Sequence, residues 1–270
     1  MLQAVVMPQS MTELSQVLAS GHGRTIIAGG TTVMPVINSG QHATTTLVSL
    51  RRLGLSGITV ASGIVTIGAA TPLSALAKQA DLAFLRGALD SIASPTIRNM
   101  ATAGGNLFVA APYGDLAVCL IALGATATIA GAGGERTAVP VEALLADSLQ
   151  PAEIISKLIF SLPAPGTFRY HKASRRALNS ASIVTVAAVV PVAAGLIKGC
   201  RVALGGVAPR PVRAASVEAL LEGKPLTLAT VEAAAAAAKA DIHPASDAYA
   251  SAWYRARVTP VHIRRAILGE

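Results

Sequence analysis

The chain has 270 residues, enough for one large or two modest domains, and its 52% hydrophobic and 13% charged content excludes a disordered polypeptide. Aromatic residues make up only 3%, so a flat ligand is expected to meet mostly aliphatic walls and backbone rather than stacking platforms. The net charge of +8 fits nucleic acid, an acidic partner surface or an anionic cofactor, while Cys119 and Cys200 lie too far apart to hold an iron–sulfur cluster or a structural zinc.

Along the first third, β-branched runs alternate with turns and helical stretches. Thr12 to Ser20 reads as a helix, and Arg24 to Ala28 and Thr45 to Ser49 read as strands. Met1 to Ser10 carries no basic stretch followed by a long apolar run, so no export signal is read and a cytoplasmic protein is expected. A new unit begins near Gly57. Ile58 to Val60 and Ile64 to Gly68 form a hairpin-like pair, and Thr71 with Pro72 reads as the N-cap and first position of a helix reaching about Gln79. A helix from Ala83 to Ile92 leads into Pro95. Beyond Gly104-Gly105 come an apolar helix, Leu116 to Leu123, a strand around Thr126 to Ile129 and an amphipathic strand, Glu153 to Phe160.

Ser161 to Gly166 holds two prolines and a glycine and reads as a linker. This divides the chain into residues 1–165, with lobes of about 1–56 and 57–165, and a second domain of residues 166–270. Downstream, Ala181 to Val190 and Gly199 to Leu204 read as strands, and Ser216 to Leu221, Thr230 to Ala240 and Val258 to Leu268 as helices. The window Ala181 to Ile197 approaches the length of a membrane span, but Pro191 and its β-branched residues mark it as a buried strand followed by a turn. The histidines His22, His42, His171, His243 and His262 show no metal-binding spacing. Basic residues cluster late, at Arg169, Lys172, Arg175, Arg176, Arg210, Arg213, Arg255, Arg257, Arg264 and Arg265, which makes the second domain the expected docking surface.

Two glycine turns stand out: Ala28-Gly29-Gly30-Thr31-Thr32 after a strand, and Ala101-Thr102-Ala103-Gly104-Gly105-Asn106. Without a Cβ the backbone can approach an anion, and converging N–H groups with threonine hydroxyls can cradle a phosphate. Neither turn matches the GxGxxG or Walker spacing. Neither contains Lys or Arg, so main-chain dipoles would meet the charge, with Arg98, beside Asn99, the nearest cation in sequence. Asp115 follows at an offset where its carboxylate either accepts from a ribose hydroxyl or caps the helix behind it.

The string from Ile26 to Pro35, together with Ile97 to Asn106 and Asp115, resembles the FAD-binding medium subunit of molybdenum hydroxylases, the xanthine dehydrogenase and carbon monoxide dehydrogenase family. The segments Phe168 to Arg176, Gly205 to Arg213, Tyr254-Arg255 and Ile263 to Ala266 extend the resemblance to the carboxyl-terminal domain. It implies a mixed α/β (α+β) fold, with a two-lobed FAD-binding domain of the PCMH type and a smaller α+β domain after it. It also implies that Ile26, Ile27, Ala28, Gly29, Gly30, Thr31, Thr32 and Val33 wrap the FAD diphosphate, with Thr102, Gly104, Gly105, Asn106 and Asp115 holding phosphate and ribose. Ile92 and Ile155 would border the ring systems. The family's lysine ahead of the Arg-Arg pair corresponds to the neighbourhood of His171 and Lys172.

By the same resemblance the chain is an oxidoreductase subunit that takes electrons from two [2Fe–2S] clusters in a small partner subunit onto FAD. A molybdenum–molybdopterin centre would sit in a large partner, within a dimer of heterotrimers. No catalytic residue, metal ligand, nucleic-acid partner or membrane span is expected of this chain. Two rival readings stand beside this one: a stand-alone FAD oxidoreductase of related fold, and a basic assembly or nucleic-acid-binding module without flavin.

Overall fold

The computed structural model describes residues 2–20, 22–40, 42–131, 134–150, 152–177 and 179–270; Met1, part of the segment read for an export signal, lies outside them. The first lobe is built from β1 (Ala4–Val6), α1 (Met11–Ala19), β2 (Arg24–Ile27), α2 (Val33–Asn38) and β3 (Thr46–Ser49). Its strands form a parallel sheet in the order β1-β3-β2. Ser10 starts α1 by accepting the N–H of Glu13, a donor that the helix leaves orphaned, while the Glu13 carboxylate accepts the N–H of Gln9, just ahead of the cap. Leu14, Val48 and Leu50 form a small core that continues onto Ala130 and Ile154 of the next lobe.

The second lobe runs through β4 (Ile58–Ala61), β5 (Ile64–Gly68), α3 (Leu73–Lys78), α4 (Arg86–Ser91), α5 (Pro95–Met100), α6 (Ala103–Asn106), α7 (Asp115–Ala122), β6 (Thr126–Gly131), β7 (Gly134–Pro140), α8 (Val141–Asp147) and β8 (Ile154–Ser161). Its antiparallel sheet has the order β4-β5-β8-β6-β7. Thr71 is not an N-cap. Its hydroxyl bonds both the N–H and the C=O of Gly57, tying the start of the lobe to α3, which Pro72 precedes rather than opens. The expected helix from Ala83 is split: a 3-10 segment, Ala80–Leu85, bends at Leu82 before α4 begins.

The second domain contains β9 (Phe168–Ser174), β10 (Ser182–Val189), β11 (Val192–Ala193), β12 (Leu196–Ile197), β13 (Arg201–Gly205), β14 (Val212–Arg213), α9 (Ala215–Leu221), α10 (Leu228–Ala236) and α11 (Ala252–Leu268). Strands β14-β13-β10-β9 form an antiparallel sheet. Successive side chains along a strand point to opposite faces, and here both faces are buried. Val184, Val186, Ala188, Val202 and Leu204 pack with the helices of this domain, whereas Ala187 and Ala203 join the core of the second lobe.

That two-sided burial explains why Ala181 to Val190 is almost uniformly apolar, whereas Val192 to Leu196 form an exposed turn. Among the described residues no helix is long and apolar enough to cross a membrane. The sheet lies close on α7, since a Cβ on Gly205 would come within 2.6 Å of a Val118 methyl. Helix α11 begins at Ala252, six residues before the expected Val258, because Ser251 caps it by accepting the N–H of Tyr254. Pro260 lies within the helix.

Candidate functional site: a cleft between two glycine turns

The two glycine turns meet. A Cβ on Gly29 would stand 2.0 Å from the carbonyl oxygen of Met100, just before the second turn, so only glycine allows this approach. Gly104 is confined in turn by Ala69, whose Cβ and carbonyl oxygen would lie 2.9 and 3.1 Å from an added Cβ. Beside this junction opens a cavity of about 840 Å³, walled by both lobes and by the start of the second domain. The volume lies in the upper part of the ~300–1,000 Å³ range of small-molecule and cofactor sites.

The turns differ in their free hydrogen-bonding groups. Among the described residues nothing accepts the N–H groups of Gly29, Gly30, Thr31 or Thr32. In the second turn every amide from 103 to 106 is engaged: Ala103 donates to the Thr71 carbonyl, Gly104 to that of Ala69, Gly105 to the Thr102 hydroxyl and Asn106 to the Thr102 carbonyl. The expectation that both turns offer main-chain amides is therefore corrected for the second, whose N–H groups are consumed half in docking it to the segment after β5 and half on Thr102. What it presents instead are side chains. The Thr102 hydroxyl accepts from Gly105 and keeps its own hydrogen. Asn106 is buried, and its Oδ1 has no partner among the described residues.

The far wall carries ions. Asp115 opens α7 behind Gly114, which takes the cap position with φ 91°, so Asp115 is the first helical residue rather than the cap. Its Oδ2 accepts from Lys172 Nζ at 2.7 Å, and its Oδ1 accepts from Thr185 and Ser182 at 2.6 and 2.9 Å. Lys172 also donates to the Ser91 carbonyl. Both side chains of this pair are more than nine-tenths buried, and both border the cavity. Tyr170 lies behind them with its hydroxyl 2.9 Å from that of Ser91; burial foremost, and then the Asp115 charge, push its phenol well above the usual range.

Of the residues singled out from sequence, Ile26, Ala28, Gly29, Gly30, Thr31, Thr32, Val33, Ile92, Thr102, Gly104, Gly105, Asn106, Asp115, Ile155 and Lys172 line the cavity. Four do not. Ile27 packs its side chain beside Gly30, away from the opening. Arg98 donates to the carbonyls of Asp90, Ile92 and Ala93, fastening the end of α4 where carbonyls lack helical partners. Asn99 is exposed on α5, outside the cavity. His171 neighbours Lys172 on a strand and so points the opposite way, onto α11. There its ring stacks on that of His262, with Nε2 and Nδ1 3.0 Å apart. Burial foremost, then neighbouring positive charge, lowers the pKa of both histidines, that of His262 to about 4.

Sequence reasoning missed the cavity's aromatic residues. Phe108, Tyr113 and Tyr249 all line it, beside the mostly aliphatic and backbone walls that composition led us to expect. It also missed Glu153, whose carboxylate accepts from the Gln150 N–H and from Arg136 and is held below the usual carboxylate range, the Gln150 bond being the largest cause lowering it.

Residues 2–164 match the model of the FAD binding domain in molybdopterin dehydrogenase, and residues 169–269 match that of the CO dehydrogenase flavoprotein C-terminal domain. The chain belongs to the FAD-binding medium subunits of the molybdenum hydroxylases, a family of oxidoreductases. It is 28% identical to the carbon monoxide dehydrogenase medium chain of Afipia carboxidovorans, over 96% of this chain and 93% of that one. To the xanthine dehydrogenase FAD-binding subunit of Escherichia coli O157:H7 it is 30% identical, over 96% and 92%. Its fold superposes on carbon monoxide dehydrogenase from Hydrogenophaga pseudoflava with a TM-score of 0.93 at 29% identity, covering 99% and 96% of the two chains. The cleft suits such a cofactor: four free amides in one turn can receive a diphosphate, and the orphaned Asn106 oxygen can receive an O–H or N–H donor.

Proposed function

We propose that the chain is the electron-transfer flavoprotein subunit of a molybdenum hydroxylase complex, receiving electrons from the [2Fe–2S] clusters of a small partner subunit and passing them to an external acceptor. The observation that carries this reading is the unspent amide row of Gly29, Gly30, Thr31 and Thr32, which shares a cavity with the Thr102 hydroxyl and the Asn106 carboxamide. Ile26, Ala28 and Val33 flank that row, Gly104 and Gly105 keep the opposite turn narrow, and Ile92 and Ile155 supply aliphatic walls. Lys172 and Asp115 contribute as a locked pair: Asp115 spends its oxygens on Lys172, Ser182 and Thr185, so its part is to hold Lys172 at the wall and join the two domains.

FAD would supply the redox chemistry, exchanging electrons singly or in pairs. This chain's share is to orient the cofactor, exclude water through its aliphatic walls and set the local charge. We set the boundary of the FAD-binding domain at residue 165 and that between its lobes near residue 56, with residues 166–270 as the second domain. The molybdopterin centre belongs to a large partner subunit, the assembly is a dimer of heterotrimers and the compartment is the cytoplasm.

The docking surface is narrower than the basic residues of the sequence suggest. Arg255 is 1% exposed, and Arg213 and Arg264 are paired with Glu218 and Glu232. Arg175, Arg176, Arg210, Arg257 and Arg265 remain exposed, and we assign the iron–sulfur contact to Arg175 and Arg176.

The test is stepwise reduction. The purified complex should hold one FAD in this subunit, and substrate should bleach clusters and flavin in succession. Clusters that reduce while bound flavin stays oxidised would overturn the electron path. Charge reversal at Arg175 and Arg176 should weaken assembly and its dependence on salt; unchanged assembly would overturn the docking assignment.

A further inference from the structure

Aromatic side chains are scarce in this protein, yet three of them gather at one cavity. Phe108, Tyr113 and Tyr249 border it and stay 50%, 47% and 36% exposed. Tyr113 belongs to the loop between α6 and α7, and Tyr249 to the segment ahead of α11, so the two tyrosines come from different domains. Their hydroxyl oxygens are 2.7 Å apart, and the rings meet edge to face with centroids 6.2 Å apart.

Tyr249 is held from behind by an aspartate that a buried arginine grips. Asp247 accepts the N–H groups of Tyr249 and Ala250 through Oδ1 and takes Arg255 on Oδ2 at 2.7 Å. Arg255 donates its other arm to the carbonyls of Ser182, Ile183 and Gly206. Fixing a partly exposed ring costs conformational entropy, and Tyr249 keeps 36% of its surface open beside the cavity. An apolar face held open beside a cavity, with a polar rim of hydroxyls, fits a flat ring that has a polar edge. The locked pair of Lys172 with Asp115, which is two residues along the chain from Tyr113, lines the same cavity and offers an ammonium to such an edge.

We propose that Tyr113 and Tyr249, bridged through their hydroxyls, form the aromatic wall against which the isoalloxazine ring of FAD rests. The proposal rests on the flavin reading above and goes beyond it by assigning the ring contact to residues of both domains. A phenol in contact with a flavin quenches its emission by donating an electron to the excited ring, so the contact has an optical signature independent of turnover.

The experiment compares FAD bound to the wild-type chain with FAD bound to Tyr249→Leu, Tyr113→Leu and Tyr249→Phe, reading flavin emission and dissociation constant together. Both leucine variants should bind FAD roughly 2- to 10-fold more weakly and emit more brightly. Tyr249→Phe, which keeps the ring, should stay within about twofold of wild type in affinity. If Tyr249→Leu does not fold, Tyr113→Leu reads the same wall from the other domain. Unchanged emission in the leucine variants overturns the proposal, and weaker binding with unchanged emission overturns it in favour of the adenine end. Wild-type protein that takes up no FAD overturns the flavin reading and this one together, whereas uptake with indistinguishable variants overturns only this one.

Discussion

The two glycine turns are alike as strings of small residues and opposite in what they leave unspent. At 29–32 the chain leaves a strand and turns into α2 with four amides unpaired; at 103–106 all four amides are consumed by Ala69, Thr71 and Thr102. A glycine therefore does two different jobs here. Gly29 is small so that one turn can touch the other, and Gly104 is small so that its helix can lie on Ala69. The anion-facing donors belong to the first turn, while the second contributes a hydroxyl and a carboxamide carried on a fixed platform. Small residues close to a cavity mark close approach, and only the count of unspent donors says whether the approach serves a ligand or the fold.

The contrast breaks first at the junction. Gly29→Ala places a Cβ 2.0 Å from the Met100 oxygen, an overlap with backbone that no rotamer relieves. It should destabilise the protein by about 1–3 kcal/mol or more, lowering the melting temperature by roughly 2–4 °C for each kcal/mol, and abolish FAD uptake by separating the turns. A variant that melts normally and still takes up FAD would show that the turns need not touch.

Within the second turn, Gly105→Val comes next. Its Cβ would stand 2.9 Å from Thr102 Oγ1, pushing away the hydroxyl that caps α6. Equilibrium dialysis should find FAD binding weaker than in Thr102→Ala, and full flavin stoichiometry in the valine variant would remove Thr102 from the site. Thr102→Ala itself deletes one donor and one cap. It should weaken FAD binding roughly ten- to a hundredfold and cost about 0.5–2 kcal/mol in thermal unfolding of the cofactor-free protein. Thr102→Ser should recover both, because the hydroxyl performs both functions.

What the sequence disclosed and what it hid follow the same division between local and distant causes. Strand and helix positions were readable where the signal is local, as in the hydrophobic alternation of β4 and β5 or the apolar run of α7, and the two turns announced themselves by composition. Amide occupancy was not readable, because two of the acceptors for the second turn lie more than thirty residues away at Ala69 and Thr71. The pair His171 and Lys172 shows the cost of treating neighbours as equivalent: once β9 is a strand, only one of them can face the cavity. Arg98 looked useful by proximity, but the open carbonyls at the end of α4 are closer partners. Tyr249 gave no signal at all near the turns. Its place depends on Arg255, which grips Asp247 and is itself anchored on the carbonyls of Ser182, Ile183 and Gly206, distant contacts fixed only by the complete fold.

The smallest expected effect is the sharpest on the comparison, because it changes sign. Asn106 is 5% exposed and its Oδ1 lacks a partner among the described residues, so the cofactor-free protein already bears the desolvation of that oxygen, on the order of 1–3 kcal/mol. Asn106→Ala removes that penalty along with some packing, and the melting temperature without FAD should stay level or rise slightly. With FAD the balance reverses: a lost neutral hydrogen bond of about 0.5–1.5 kcal/mol corresponds to binding roughly 2- to 12-fold weaker. A ligand that binds only the folded state stabilises it according to its affinity, so the variant should gain less from saturating FAD than wild type does. Paired melting curves with and without FAD measure both signs at once. A variant less stable than wild type by the same amount in both curves would make Asn106 a packing residue and leave the second turn with Thr102 as its sole ligand-facing group.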